Sequence, residues 1–408
     1  MANETKKRYV HKIYNGATYV ATLADNIVMN KPSYGWSING GMGEMVIDLA
    51  LSVKDFRDSY ENNQITFGYR VKTFVQGADE ALGTQIYDGL ITTYDPIISA
   101  EGREFVRVHV VSMLTQLENK LLKSGANTEV PYASADPQVI LKDIIDKNAG
   151  NIGYSTQSVA ATGTVVSYTF SFTTCLEAVK KALELCPAFW YWYLGADSTI
   201  YLSSTNFDTV AHKLYIGKQV QSINAKKSID KLKNALYFKG GGSVPLYKLY
   251  ERTSSITAFG RREDRYSDER VTLAATAQTI ATKILDENDH PISTVQCSVV
   301  DNSIDTTRGY DIESLKPGDI VQILFPSLDF RVSLWSDGIM GATWDVDFWD
   351  YDMRYSLGLP MQIQQVNYGF DRATLELTAR IEDVTKRIED VDRNLNVVRS
   401  EDIPTAPS

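Results

Sequence analysis

The alternation of apolar and polar positions is clearest between Thr173 and Leu202. In the run TTCLEAVKKALELC, apolar residues recur three or four positions apart, which is the spacing of one face of a helix. Pro187 ends such a helix, because proline lacks an amide hydrogen and its ring clashes with the preceding turn. The aromatic run AFWYWYL then predicts a well-covered strand, and GADS predicts a turn into a second strand, TIYL. The pattern predicts a helix that covers an aromatic hairpin.

Short strand patterns dominate the chain before this stretch. The segments MVIDL, QITFGY and FVRVHV are examples, and the last alternates apolar with basic side chains as a half-buried strand does. Turn residues such as Gly40, Gly41 and Gly102 separate the patterns, which suits an antiparallel meander that curls into a barrel or sandwich. A short helix pattern follows near residues 113–123. We predict a first β-barrel domain at residues 1–125.

A mixed unit follows the polar, turn-rich segment 124–137. Pro137 stands at a helix start, and Ile140 and Ile144 lie on one face of that helix. The helix and aromatic hairpin of the opening stretch come next. We predict an α+β domain at residues 126–215.

Strand patterns return after residue 216, with VQSINA, NALYFKGGG, ISTVQCSVV and the closing pair MQIQQVNYGF and RATLELTARIE. The sequence LKPGD predicts a type II turn, with proline and glycine at its central positions. We predict a second β-barrel domain at residues 216–245 and 291–382, with a Trp/Asp-rich insertion at 328–358. Residues 246–290 are predicted to form an inserted loop and helix. Residues 383–408 are predicted to form a C-terminal helix and flexible tail. The predicted fold class is mainly β with α+β: two β-barrel domains, an α+β domain and a smaller inserted segment.

Composition narrows the function classes. A chain of 408 residues with 43% hydrophobic and 23% charged residues predicts a soluble protein of two to four domains. The 23 tyrosines favour β-rich structure and large contact surfaces, because tyrosine buries its ring and keeps its hydroxyl satisfied. A net charge of -10 argues against a DNA- or RNA-binding protein, whose surface carries a surplus of Lys and Arg.

The cysteines and the N-terminus indicate synthesis in a reducing cytoplasm. Cys175 and Cys186 lie about 16 Å apart on the predicted helix, at 1.5 Å per residue, and cannot form a disulfide bond. With Cys297 they are predicted to be buried free thiols. The N-terminal segment has no apolar signal region, and no apolar run approaches the roughly 20 residues that span a bilayer.

Motifs for catalysis or cofactor binding are lacking in the sequence. It contains no HExxH, no Walker A loop and no CxxC pair, and the S-x-x-K spacing of Ser228 and Lys231 lacks its companion motifs. The acidic helix end around His290 and the segment RREDRYSDER are predicted to be solvated rather than metal- or nucleic-acid-binding. We expect no enzyme activity, no cofactor and no metal.

Tryptophans are the main candidates for partner contacts. Trp335, Trp344 and Trp349 alternate with aspartates in a segment that lacks the glycine and glutamate of an EF-hand, so an exposed interaction loop is favoured over a calcium site or plain sheet. Trp190 and Trp192 are by default core residues of the α+β domain. A partner surface is the alternative, because one domain seldom covers both faces of a strand reading FWYWY.

Several motifs in order resemble the tail hub family of tailed bacteriophages. GGMGEMVIDLAL, NQITFGYRV and FVRVHVVSMLTQLENKLL are similar to its first barrel, and TTCLEAVKKALELCPAFWYWYLGADSTIYL is similar to its helix and following hairpin. SIDKLKNALYFKGG and YDIESLKPGDIVQILF are similar to its second barrel. The resemblance covers nearly the whole chain.

The resemblance implies a homotrimer in which two tube-like barrels per subunit form a ring that closes the tail tube of the virion. The α+β domain would bridge the two barrels. The ring would contact the tail tube and distal tail proteins above and tip, fibre or receptor-binding proteins below. Phage DNA would pass through the centre without specific binding, which the acidic charge fits.

Two features depart from longer members of the family. No peptidase or lysozyme domain is expected, because the chain ends soon after the second barrel. The Trp/Asp segment and the C-terminal helix are candidates for docking neighbouring tail proteins. The predicted interface residues are Trp190, Trp192, Trp335, Trp344, Trp349, Ile381, Val384 and Ile388. The alternative function is a carbohydrate- or receptor-binding tail protein whose tryptophans stack on sugars; a cell-wall hydrolase has little support.

Overall fold

The computed structural model describes residues 7–23, 27–61, 64–76, 82–98, 102–125, 127–148, 150–242, 246–301, 310–324, 356–369 and 371–379. The strands in these ranges are β1 (Arg8–Asn15), β2 (Thr18–Leu23), β3 (Tyr34–Ser37), β4 (Met45–Leu49), β5 (Arg70–Gln76), β6 (Leu82–Ile98), β7 (Glu104–Ser112), β8 (Glu129–Ala135), β9 (Val166–Ser171), β10 (Trp190–Leu194), β11 (Ile200–Ser204), β12 (His212–Tyr215), β13 (Val220–Ser228), β14 (Ala235–Gly240), β15 (Tyr247–Glu251), β16 (Glu263–Asp268), β17 (Ile292–Val300), β18 (Ile320–Leu324), β19 (Ser356–Tyr368) and β20 (Arg372–Ala379).

The described residues contain fewer helices than strands. The helices are α1 (Val53–Asp55), which continues as a π-helical turn at Phe56–Tyr60, α2 (Thr115–Glu118), α3 (Pro137–Asn148), α4 (Cys175–Glu184), α5 (Thr253–Phe259) and α6 (Ala274–Asn288), with a 3-10 turn at Ile312–Ser314. No helix among the described residues is long and apolar enough to cross a membrane. The mainly β fold class with an α+β part is confirmed.

A six-stranded antiparallel sheet forms the first part of the chain, in the order β2-β1-β5-β6-β7-β4. Its strands alternate buried and less buried residues, and β7 follows this period almost throughout. Such alternation buries one face of a sheet. The inward residues, among them Ile13, Val71 and Val108, belong to the first hydrophobic core.

A second sheet has the order β12-β18-β19-β20-β17-β13. Its ladders are antiparallel except β12 with β18, which run parallel. Strand β3 also joins it, because Tyr34–Ser37 pairs antiparallel with β19. The sequence did not predict that the first strand-rich part of the chain donates a strand to the second sheet.

The two sheets share one core. Their buried side chains form a single hydrophobic cluster, in which the Tyr34 ring packs edge-on against Tyr87 and lies 4.8 Å from the Tyr368 ring. Outside this cluster, the Lys7 ammonium lies 3.1 Å from an Asp301 carboxylate oxygen, which adds a charged link between β1 and the second sheet. The sheets are therefore joined by strand exchange, apolar contact and ion pairing.

An α+β unit forms the second hydrophobic core. It contains β8 paired with β9, β10 paired with β11, the helices α3, α4 and α6, and a three-stranded sheet in the order β15-β14-β16. The sequence prediction placed β14 in the second barrel. In the structure β14 pairs with β15 and β16 instead, because its alternate residues Leu236 and Phe238 are buried in this second core.

Helix α4 forms where the periodicity predicts it. Thr174 and Glu177 make a capping box, each side chain bonding the other's backbone N–H, which satisfies amides at the helix start. All three cysteines are buried free thiols. Burial raises the pKa of Cys175 to about 11 and that of Cys186 to about 12, as expected for inert thiols in apolar surroundings.

Candidate functional site

The aromatic hairpin β10–β11 lies at the junction of the two sheets and the α+β unit. Trp192 pairs with Leu202 and Leu194 with Ile200 in its register, and these side chains face the second core. On the opposite face, the rings of Tyr191, Tyr193 and Tyr201 stack in a row, with centroids 6.3 Å and 4.8 Å apart. The hairpin therefore has one face in its own unit and a second, aromatic face turned to other parts of the chain.

The turn of the hairpin docks on the first sheet through a buried carboxylate. Asp88 is 2% exposed and accepts hydrogen bonds from both Arg70 Nε, at 2.7 Å, and Arg70 Nη2. The Ser198 hydroxyl donates to the same carboxylate at 2.6 Å, and Gln85 donates to the carbonyl of Ala196. The bond to Asp88 raises the pKa of the Arg70 guanidinium. The turn is thus held by a charge-assisted network.

Ser198 adopts a backbone conformation that suits this contact. Its φ is +61°, in the left-handed region that most non-glycine residues avoid, and it is 1% exposed. The sequence GADS predicted the turn, but not that the turn would be buried against another sheet. The Asp88 network compensates for the backbone strain at Ser198.

The open edge of β10 is covered by the segment that follows β3. The amide of Asn39 donates to the carbonyl of Trp192 at 2.6 Å, and the amide of Leu194 donates to the carbonyl of Gly40 at 3.0 Å. The indole Nε1–H of Trp36 donates to the carbonyl of Leu194, also at 3.0 Å. The backbone hydrogen bonds of the hairpin therefore continue into the segment that contains Asn39 and Gly40. The strand before this segment is β3, which joins the second sheet.

The aromatic face meets the second sheet at a glycine. Gly318 has a φ of +91°, in the turn that the LKPGD sequence predicts. A Cβ built there would lie 2.3 Å from Cε2 of Tyr191, so only glycine lets the ring approach. Burial raises the pKa of Tyr191 to about 12. Gln362 adds a polar contact by donating to the Thr205 hydroxyl at 2.9 Å.

Helix α6 holds the start of the hairpin. The Phe189 amide donates to Glu287 Oε1 at 3.1 Å, and the Phe189 carbonyl accepts from the amide of Thr205 at 2.8 Å. Burial raises the pKa of the Glu287 carboxyl. The hairpin therefore contacts the first sheet, the β3 segment, the second sheet and α6, which gives it the position of a bridge.

Polar side chains also cluster beside the LKPGD turn. His212 Nε2 lies 3.1 Å from an Asp319 carboxylate oxygen, and its Nδ1 lies 2.9 Å from the Tyr310 hydroxyl. These contacts attach the turn to β12. The cluster they form contains no arrangement of a nucleophile with a base and no group of metal ligands. Within the described ranges, no group of three or more His, Cys, Asp or Glu side chains is placed to hold a metal ion.

The predicted interface residues fall in different places. Trp192 is 1% exposed and packs in the second core, which is the default interpretation from the sequence. Trp190 is half-buried against the same core, and a partner contact through either residue stays a prediction. The other predicted interface residues lie outside the described residues: Trp335, Trp344, Trp349, Ile381, Val384 and Ile388.

The residues that hold the hairpin to the first sheet carry no distinctive pattern in the sequence. In the strand QIYDGLI, Asp88 has the spacing of an outward-facing acid, and nothing in the strand pattern indicates that another unit covers it. Gly318 was predicted as a turn residue, but its close approach to Tyr191 depends on tertiary structure.

Comparisons with known proteins identify the fold. No family model matches the chain, and no curated protein sequence matches it. A 43 kDa prophage tail protein from Shewanella oneidensis is similar with a TM-score of 0.54 at 12% identity, over 91% of this chain and 98% of that one. A prophage tail protein from Listeria monocytogenes is similar with a TM-score of 0.52 at 11% identity, over 95% and 99% of the two chains.

A tail protein from Neisseria meningitidis is similar with a TM-score of 0.55 at 11% identity, over 92% of this chain and 97% of that one. The resemblance to phage tail proteins that the sequence motifs indicate is thereby confirmed at the level of the fold. The likeness extends over the sheets and the α+β unit together, not over one of them.

Proposed function

We propose that this protein is the structural hub at the distal end of a phage tail tube. Three copies form a ring that closes or adapts the tube, anchors tip or fibre proteins and allows DNA to pass. The observation that carries this proposal is the whole-chain similarity to three tail proteins, which spans 91–95% of this chain. Agreement over the entire chain supports a shared architecture rather than one shared domain.

The construction of the junction supports a scaffolding role. A hub transmits position between a tube and a tip, so its units need a fixed relative orientation. The aromatic hairpin is tied to both sheets and to α6 by hydrogen bonds and close packing. Strand β3 adds a second tie, because it joins the second sheet. These connections favour a rigid subunit.

The proposed partners are a second and third copy of the chain, the tail tube and distal tail proteins, and tip, fibre or receptor-binding proteins. DNA passes through the lumen without specific binding, and the net charge of -10 supports this, because an acidic surface does not retain a polyanion. In this proposal the protein has no catalytic activity, is made in the cytoplasm of the bacterial host and resides in the virion.

The proposal is tested by the assembly state of the full chain. The purified protein is examined by light scattering coupled to size exclusion and by negative-stain electron microscopy, alone and with a phage tail tube protein. We expect trimeric rings that stack on the end of the tube. A stable monomer that forms no ring even with its tail partners would contradict the proposal.

A further inference from the structure

The outer face of the first sheet carries two groups of opposite charge. Lys12 on β1 and Lys72 on β5 form one group, on the face opposite the buried Ile13 and Val71. Asp95 on β6 and Glu44, just before β4, form the other. Strand β6 neighbours β5, but Asp95 lies seven residues along β6 from Asp88, the partner of Lys72, and β4 lies three strands from β5. We call the two groups the lysine patch (Lys12 and Lys72) and the carboxylate patch (Glu44 and Asp95).

Among the described residues, the lysine patch has no paired counter-charge. Lys12 and Lys72 are direct partners in the β1–β5 register, and like charges opposite one another destabilise a sheet. In the described part of the chain their ammonium groups contact rings instead, with Lys12 Nζ 5.8 Å from the Phe74 centroid and Lys72 Nζ 5.6 Å from that of Tyr14. Neither forms an ion pair with a described carboxylate.

The acid closest in register does not neutralise this patch. Asp88 is the β6 partner of Lys72, but it is 2% exposed, and its carboxylate accepts from Arg70 and Ser198. An anion from outside the chain would relieve the repulsion between Lys12 and Lys72. The flanking rings of Phe74 and Tyr14 supply apolar surface for such a contact.

The carboxylate patch has the complementary composition. Glu44 and Asp95 lie on either side of His109, at 2.5 Å and 3.2 Å from its two ring nitrogens, and their side chains are 51% and 54% exposed. Beside them, Asp48 is fully engaged by a two-point ion pair with Arg107. The exposed oxygens of Glu44 and Asp95 are therefore free to meet cations on their solvent side.

A second copy of the chain fits the lysine patch better than other anions do. The chain has 51 acidic and 41 basic residues, so its long-range field repels nucleic acid, whereas another copy presents the carboxylate patch on the same face of an identical sheet. When the lysine patch of one copy binds the carboxylate patch of the next, the contact is head-to-tail, and it closes into a ring when the rotation between neighbouring copies closes.

The contact is made by side chains rather than by adding one sheet to the other. The outer edge of β4 is already covered, because the amide of Met29 donates to the carbonyl of Asp48 and the amide of Ala50 to the carbonyl of Ile27, both at 2.7 Å. We propose that the lysine patch of one copy binds the carboxylate patch of the next. The proposal rests on the ring of the proposed function and names the surface that holds it together.

Charge reversal in the full-length protein tests this surface. Lys12→Glu with Lys72→Glu places carboxylates against carboxylates, and we expect self-association to weaken by about tenfold or more, as for loss of close interfacial charge pairs. Adding Glu44→Lys and Asp95→Lys in the same chain reverses both sides of every contact and should restore the ring. Sedimentation velocity measures the assembly, and added salt should weaken the wild-type ring.

A matched control has the same change in charge elsewhere. Lys123 and Lys180 are exposed in the α+β unit, and Lys123→Glu with Lys180→Glu should leave the ring intact. If the reversed patch prevents folding, Lys12→Gln with Lys72→Gln carries the same test, because it removes the attraction without adding repulsion. Thermal unfolding of each variant verifies that it is folded.

Four results would overturn the inference. The first is a wild-type level of assembly in the folded Lys12→Glu/Lys72→Glu or Lys12→Gln/Lys72→Gln variant. The second is a folded fourfold variant that stays dissociated. The third is a folded lysine variant that keeps its ring but loses binding to single- or double-stranded DNA that the wild type shows. The lysine patch would then bind phosphate rather than a second copy. A wild-type protein that never assembles would overturn the proposed function itself, whereas the first three results leave the hub proposal standing.

Discussion

The aromatic hairpin contacts the two sheets by different physical means. Its turn meets the first sheet through the buried Asp88, which holds Arg70 and the Ser198 hydroxyl. Its aromatic face meets the second sheet where the Tyr191 ring lies on the backbone of Gly318. We call these the charged contact and the ring contact.

The difference between the contacts determines how each one fails. A buried ion pair is very sensitive to loss of one partner, because the remaining charge stays in a low-dielectric site. A ring packed on a glycine is sensitive to added volume and tolerates a change of charge nearby. A subunit that uses both keeps its two sheets in register through independent interactions.

Removing Asp88 should have the largest effect. Asp88→Ala leaves the Arg70 guanidinium without a carboxylate at a site where its side chain is 16% exposed, and we expect a loss of about 3–5 kcal/mol in the free energy of unfolding. Urea denaturation of the full chain measures it. The double variant Asp88→Leu with Arg70→Met should recover much of the loss, because it removes both charges. A small loss in the single variant would show that Arg70 finds solvent and that the charged contact is weak.

Ser198→Gly is the matched control for the charged contact. It removes one hydrogen bond to Asp88, which costs about 1 kcal/mol, and relieves the left-handed backbone, which gains a similar amount. We expect nearly unchanged stability. A loss comparable to that of Asp88→Ala would mean that the serine, rather than the ion pair, holds the turn.

The local structure of the hairpin was more predictable from the sequence than its contacts with the rest of the chain. The α4 helix, Pro187, the FWYWY strand and the LKPGD turn were predictable because periodicity and turn chemistry are local. The pairing of β3 with the second sheet and of β14 with β15 was not, because alternation indicates which face of a strand is buried and not against what. The burial of Asp88 escaped prediction for the same reason.

Acid should weaken the sheet that carries the charged contact. His11 is fully buried with its Nδ1 2.8 Å from the Thr73 hydroxyl, and burial lowers its pKa from 6.5 to about 4. Between these values the unfolded chain binds a proton that the folded chain does not, so stability falls as pH falls. We expect a loss of about 3 kcal/mol from pH 7 to pH 4, and no contribution of His11 above about pH 7.

Other carboxyl groups also titrate near pH 4, so His11→Leu is compared with the wild type at each pH. The difference between the two proteins in urea denaturation isolates the histidine. Hydrogen exchange should increase first in residues 195–199, which dock on the sheet that contains His11, before it increases in residues 316–319. If the free energy of unfolding depended on pH equally in the two proteins, the pKa of His11 would be the same in the folded and the unfolded chain.

Adding one methyl group should break the ring contact. Gly318→Ala combines a φ of +91°, which alanine avoids, with a Cβ 2.3 Å from the Tyr191 ring, and we expect a loss of about 2–3 kcal/mol. In a Tyr191→Ala background the clash is absent, and the same substitution should cost only the backbone strain of about 1 kcal/mol. Equal costs in both backgrounds, measured by thermal unfolding, would show that the ring and the glycine are not coupled.

Among the predicted losses, the smallest should come from the edge of the hairpin, which neither contact uses. Trp36→Phe keeps an aromatic ring beside Tyr193 but removes the Nε1–H that donates to the Leu194 carbonyl. That carbonyl belongs to a buried residue, so we expect a loss of about 1 kcal/mol, the net value of one hydrogen bond. Trp36 lies on β3 and pairs with Val366 on β19, so this bond also connects the second sheet to the hairpin. A double-mutant cycle with Gly318→Ala should show additive losses if the β3 edge and the ring contact act independently. A coupling energy above about 0.5 kcal/mol would mean that the two contacts stabilise the hairpin cooperatively through the second sheet.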